Sequence, residues 1–168
     1  MELVLVTTIT AIMLSLASPY LGRFISNQRL VAAARTVQLE AMYARAMAIS
    51  EQQATVLCPS SSAQFCDNSS DWHTGWIVFQ DKNADRERQP GEALIRVSSA
   101  LEGVKATSSR FRRRIRFLPN GTAVGTAMSI SICALTATGT AQKLVIANSG
   151  RIRQERSSGN TAMIQCEV

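Results

Sequence analysis

The chain opens with a run of twenty-one residues, MELVLVTTITAIMLSLASPYL, that holds a single charge, Glu2; the next does not come until Arg23. As a helix such a run rises about 1.5 Å per residue, enough to cross a hydrocarbon core of roughly 30 Å. It therefore sets the first element as a helix and leaves the remainder to build the folded part. A secretory signal would carry a cationic head, a shorter apolar stretch and a small-residue cleavage site, and nothing cationic precedes Leu3. A plain anchor has no use for a carboxylate at its far end, because an unpaired charge in hydrocarbon is costly. Glu2 marks the run as more than an anchor.

The helical pattern continues past the run. Leu30, Ala34, Val37, Ala41, Ala44 and Ala48 recur at alternating steps of four and three, which places them on one stripe. Arg29, Arg35, Glu40, Arg45 and Glu51 are left for the wet face. Pro19 falls near the boundary between the two halves, where a kink rather than a break is expected because the pattern resumes beyond it. The expectation is one helix in two halves, a transmembrane half at 1–21 and an amphipathic half at 22–53. A β-rich globular domain then fills 54–168, and a chain of 168 residues leaves no room for another.

Beyond the helix, short segments rich in β-branched residues alternate with turn residues, and strands are predicted at 54–58, 75–80, 93–97, 114–118, 127–133, 143–146, 150–154 and 162–166. Pro119-Asn120-Gly121 and Asn148-Ser149-Gly150 carry residues that tolerate positive φ. The fold class is α+β: a long N-terminal helix packed by its amphipathic half on an antiparallel sheet.

An even count of cysteines behind an apolar segment points to an oxidising compartment and to disulfides. Cys58, Cys66, Cys133 and Cys166 allow three connectivities. The favoured one joins Cys58 to Cys66 across a short polar loop and Cys133 to Cys166 between strands. A zinc site is disfavoured, since there is no C-x-x-C and His73 is the one histidine. His73 also lacks the partners of a nucleophile and reads as a surface loop residue. With no G-x-S-x-G, phosphate-binding loop or dinucleotide fingerprint, no enzyme, cofactor or metal is expected. Asp81, Asn83, Asp85, Glu87, Gln89 and Glu92 do fall at the ligand positions of a calcium loop. Arg86, however, stands where the turn wants glycine, so a solvated hairpin loop is the preferred reading.

The charge is concentrated in the C-terminal part. Residues 101–168 hold ten Lys or Arg against three Asp or Glu, net +7, whereas residues 1–100 hold eight against nine. A surplus of that kind speaks of polyanionic partners. It comes in two groups. Arg110, Arg112, Arg113, Arg114 and Arg116 lead into a predicted strand, where alternation would put Arg112, Arg114 and Arg116 on one face. Arg151, Arg153 and Arg156 follow Gly150, with Lys143 one strand earlier. Two guanidinium groups on one strand face lie about 6.6 Å apart, and each can grip phosphate oxygens with two donors.

The order of these parts resembles a type IV pilin or pseudopilin, and the domain resembles the FimT and GspH group of minor members. Glu2 and Pro19 stand seventeen residues apart, as do the glutamate and the helix-kinking proline of that family. TVLCPS from Thr55, WHTGWIVFQDKNAD from Trp72, GEALIR from Gly91, IRFLPNG from Ile115, SISIC from Ser129 and GRIR from Gly150 follow in the group's order. The resemblance implies that Glu2 and Pro19 serve filament assembly, with Glu2 meeting the terminal amine of a neighbouring subunit. It implies other pilin subunits as partners, a single-pass inner-membrane anchor with a periplasmic domain before assembly, and the cell surface afterwards. A prepilin peptidase joins the partners if a glycine-ended leader precedes Glu2 in place of Met1.

GRIR resembles the G-R-x-R motif of members that bind DNA in natural transformation, and Arg151 and Arg153 map onto it. The function so implied is non-specific binding of extracellular DNA through its phosphates, with Gly150, Arg156, Lys143, Arg112 and Arg114 in support. The alternative is a structural minor pilin or type II secretion pseudopilin that primes or caps a filament.

Overall fold

The computed structural model describes residues 2–135 and 140–158, and for 14–19 the backbone alone. One helix, α1, runs without interruption over Glu2–Ser50, so Pro19 lies inside it. The strands are β1 (Thr55–Pro59), β2 (Trp76–Gln80), β3 (Leu94–Ser98), β4 (Val104–Ser108), β5 (Ile115–Phe117), β6 (Met128–Ala134), β7 (Thr140–Ile146) and β8 (Ile152–Ser158). A single 3-10 turn, Trp72–Thr74, precedes β2.

Where one sheet was expected, the described residues form two, each of four antiparallel strands. The first has the order β3-β2-β1-β5 and the second β4-β6-β7-β8. The helix packs on both, touching β1 and β5 of the first and all four strands of the second. Its seam is the stripe read from the sequence: Leu30, Ala34, Val37, Ala41, Ala44 and Ala48 are buried, and the four alanines let the sheets approach the helix backbone closely. Alternation does the rest. Met128, Ile130 and Ile132 of β6 and Leu144 and Ile146 of β7 face the helix, while Ser129, Ser131, Lys143 and Val145 face away.

β1 is buried on both sides. Leu57 joins the main core, whereas Val56 and Cys58 pack with Ile77 and Phe79 in a second, smaller core on the outer face of the first sheet. The Cys58–Cys66 disulfide folds the following loop over that core, with Cys66 packed against it. Cys133 is not a free thiol. Its expected partner Cys166, like the strand predicted at 162–166, lies outside the described residues.

Two expectations need correction. The amphipathic half of α1 does not leave Glu40 and Arg45 on the wet face. Glu40 is buried and pairs with Arg96 Nε at 3.1 Å, and Arg96 also lies over the Tyr43 ring. Arg45 donates to the Gly121 carbonyl at 2.8 Å. Glu40 latches the helix to β3 and Arg45 latches it to the Gly121 turn, contacts that the stripe does not reveal. Second, the arginine run is not strand: β5 begins at Ile115, where pairing with Leu57 of β1 starts, and residues 110–114 form an irregular turn held by Arg112 N–H on the Ser109 carbonyl.

No helix among the described residues is long and apolar enough to cross a membrane. Residues 2–13 alone span about 18 Å, short of a roughly 30 Å core. Leu3, Val4, Leu5, Val6, Ile9, Ile12 and Met13 are all exposed.

Candidate functional site

The C-terminal basic group sits on β8, which ends the described order of the second sheet. The turn before it is set by Gly150, at φ 74°, whose N–H donates to the Ala147 carbonyl while Ala147 N–H donates to that of Arg151. This turn is seated on the Pro119-Asn120-Gly121 turn, with Ala123 N–H bonded to the Asn148 carbonyl. The chain leaves it with Arg151 exposed, Ile152 packed against the core and Arg153 exposed again. Alternation thus gives the two arginines the outer side of the sheet.

Register sets their surroundings. Arg153 stands opposite Val145 and Glu155 opposite Lys143, so Lys143 shares the outer face with them. Arg153 Nε pairs with Glu155 Oε1 at 3.0 Å, and both side chains are about half exposed. At that exposure the pair is worth little and yields readily to a stronger anion. Arg156 belongs by alternation to the other side, with Ile152 and Gln154, although it is itself exposed.

The 110–116 run lies elsewhere and is more engaged. Arg112 donates to the Gly125 carbonyl at 2.8 Å, Arg113 to the side chain of Asn68 and to the Arg110 carbonyl, and Arg114 pairs with Glu87 at 2.6 Å. Arg116 turns away to the Ala84 carbonyl and to Asp81. Arg112 and Arg114 therefore do not join the β8 arginines in one strand face. They line a cavity of about 530 Å³ with Arg86, Arg110, Arg113 and Phe111. Arg86 and Phe111 were missed in the sequence reading. The aromatic inside the arginine run was the signal for Phe111, and nothing local signalled Arg86.

Other candidates resolve simply. His73 is not a plain surface residue: it lies in the 3-10 turn, with Nδ1 at 3.2 Å from the Ala106 carbonyl of β4. Among the described residues no group of three or more His, Cys, Asp or Glu could hold a metal. Glu92 is buried and accepts from the Lys82 and Gln89 amides, which closes the 81–92 loop on itself. Glu2 occupies the first turn of α1, where the helix dipole favours a carboxylate.

Burial pushes the Asp81 carboxyl above its ordinary value of 3.8; nearby Glu92 and Asp85 add to the rise, while the Arg86 backbone amide and Arg116 oppose it. The folded state holds this proton more tightly than the unfolded one. The resulting stabilisation is fully present below about pH 3.8 and is lost as pH rises through the raised native value. Asp81→Asn is expected to remove that part of the slope. Urea unfolding of both proteins between pH 4 and pH 7 measures it: the stability of wild type relative to Asp81→Asn should fall with rising pH.

The comparisons follow from this geometry. In structure the chain is similar to the type IV minor pilin FimU of Pseudomonas aeruginosa, at 24% identity and a TM-score of 0.62, over 79% of this chain and 92% of that one. It is also similar to the minor pseudopilin EpsH of the type II secretion system of Vibrio cholerae, at 11% identity and a TM-score of 0.52, over 76% of this chain and 96% of that one. No curated protein matches the chain. The family model for the type II transport protein GspH matches residues 33–150, from near the start of the helix seam to the glycine ahead of the β8 arginines. The chain belongs to the GspH family of minor pilins and pseudopilins.

Proposed function

We propose that this minor pilin binds extracellular DNA non-specifically, through arginine–phosphate contacts on β8, for uptake in natural transformation. The observation that carries the reading is the exposed pair Arg151 and Arg153, delivered to the outer face of the second sheet by a rigid glycine turn, with Lys143 on the same face. Contacts of this kind give affinity without base reading and weaken steeply with salt, which suits capture followed by release. No catalytic step is involved. Before assembly the chain is held in the inner membrane by residues 1–21 with its domain in the periplasm, and a prepilin peptidase processes it where a leader is present. Glu2 and Pro19 then serve its entry into the pilus.

Arg151→Ala with Arg153→Ala is expected to weaken binding of a DNA duplex roughly tenfold or more at low salt. It should also lower the slope of log affinity against log salt by about two, one for each lost phosphate contact. A mobility-shift titration of the full chain in nonionic detergent reads both quantities. Unchanged affinity and slope would remove the proposal.

A second reading has its own support. The apolar side chains exposed along the first quarter of α1 form a surface for other helices, which fits a subunit that primes or caps a filament. Piliation of a deletion strain separates the two: lost filaments favour priming, and intact filaments with lost DNA uptake favour binding.

A further inference from the structure

Five arginines, Arg86, Arg110, Arg112, Arg113 and Arg114, line the cavity at the start of β5. Arginines on a solvated surface splay apart, because like charges brought together repel. Here three are held in place: Arg112 by the Gly125 carbonyl, Arg113 by Asn68 and the Arg110 carbonyl, and Arg114 by Glu87. Among the described residues Glu87 is the one carboxylate paired with any of these five side chains, and Arg114 takes it. Among the described residues the side chains of Arg86 and Arg110 have no partner, and the buried Nε of Arg114 has no acceptor. Arg86 reaches the cavity from a backbone at φ 65°, a conformation arginine rarely adopts. The site is positively charged and short of acceptors, which is the complement of a phosphate group.

Phe111 adds a second requirement. It lines the same cavity between Arg110 and Arg112 and is 94% exposed. An aromatic face beside a phosphate-sized cluster of donors fits a nucleotide whose base is unpaired, since the bases of a duplex keep their faces stacked inside. We infer that this cleft binds single-stranded nucleic acid, with one phosphate among Arg86, Arg110 and Arg114 and the adjoining base stacked on Phe111. The inference deepens the nucleic-acid reading and adds a strand preference to it, yet it stands on residues remote in sequence from β8.

The test uses the full chain in nonionic detergent and three labelled probes in fluorescence anisotropy: an oligothymidine strand, an abasic strand of equal length and a blunt duplex. Phe111→Ala is expected to weaken the oligothymidine roughly tenfold and to leave the abasic strand and the duplex unchanged. Arg110→Gln should weaken both single strands alike. Both positions are exposed, so neither change endangers the fold. Equal wild-type affinity for oligothymidine and abasic strands would overturn the inference, as would a Phe111→Ala loss as large on the duplex as on the single strand. If Arg151→Ala with Arg153→Ala leaves the duplex unaffected while Phe111→Ala still weakens oligothymidine, the β8 reading falls and the cleft stands. The converse result removes the cleft alone.

Discussion

Gly150→Ala is expected to destabilise the domain by about 4 kcal/mol, the sum of a strained left-handed backbone and an overpacked contact. Gly150 has φ 74°, and a Cβ at this position would overlap the Gly121 carbonyl oxygen. That carbonyl cannot simply move aside, because it also accepts from Arg45 Nε of the helix. Gly121 is itself at φ 75°, so neither turn has slack to give. Any relief must part the two turns and displace Arg151, the first residue beyond them. The substitution should therefore lower both the urea midpoint and, in whatever fraction still folds, the affinity for duplex DNA. A loss of under about 1 kcal/mol would show that the two turns separate freely.

Trp72→Ala is expected to cost a similar amount, about 4 kcal/mol, through the cavity it leaves. The indole is fully buried, and its Nε1 donates to Ser108 Oγ at 3.0 Å, whose own proton goes to the Arg112 carbonyl. The surrounding segment is what joins the sheets. Asp71 bridges to Thr107, Ser108 N–H bonds to the Ser70 carbonyl and Leu101 N–H to that of His73, while β2 of the other sheet begins at Trp76. Removing the indole thus loosens the contact between the sheets and the anchor of the arginine turn together. Trp72→Phe keeps most of the volume and should cost about 1–2 kcal/mol, mainly the hydrogen bond. Near-equal losses for the two variants, read from denaturant unfolding, would place the energy in the hydrogen bond instead of the packing.

The helix was readable because its stripe has a fixed period and every member of it ended in the core. Strands β1, β2, β6 and β7 were found through runs of β-branched or aromatic residues. β4 was missed because VKATS offers Val104 and Ala106 as its apolar side, too small a signal beside Lys105 and Thr107. The division into two sheets depends on pairings between distant segments, on which local pattern is silent. The same limit hid the latches: Glu40 looks like a wet-face residue until β3 brings Arg96 to it. At the basic site, the turn and the outward pair at 151 and 153 follow from Gly150 and alternation. The cleft does not, since Arg86 enters it from the loop between β2 and β3 and Arg114 is positioned by Glu87 of that loop.

The long helix also decides how the molecule carries load. The apolar side chains of its first turns are exposed, so a pull on that end reaches the sheets mainly through the Leu30–Ala48 seam. Force along the axis loads the seam in shear, and all its side chains resist at once instead of peeling one by one. Alanines alone would offer a smooth track for sliding. The cross-pins at Glu40–Arg96 and at Arg45 on the Gly121 carbonyl, set across that track, are what give it grip.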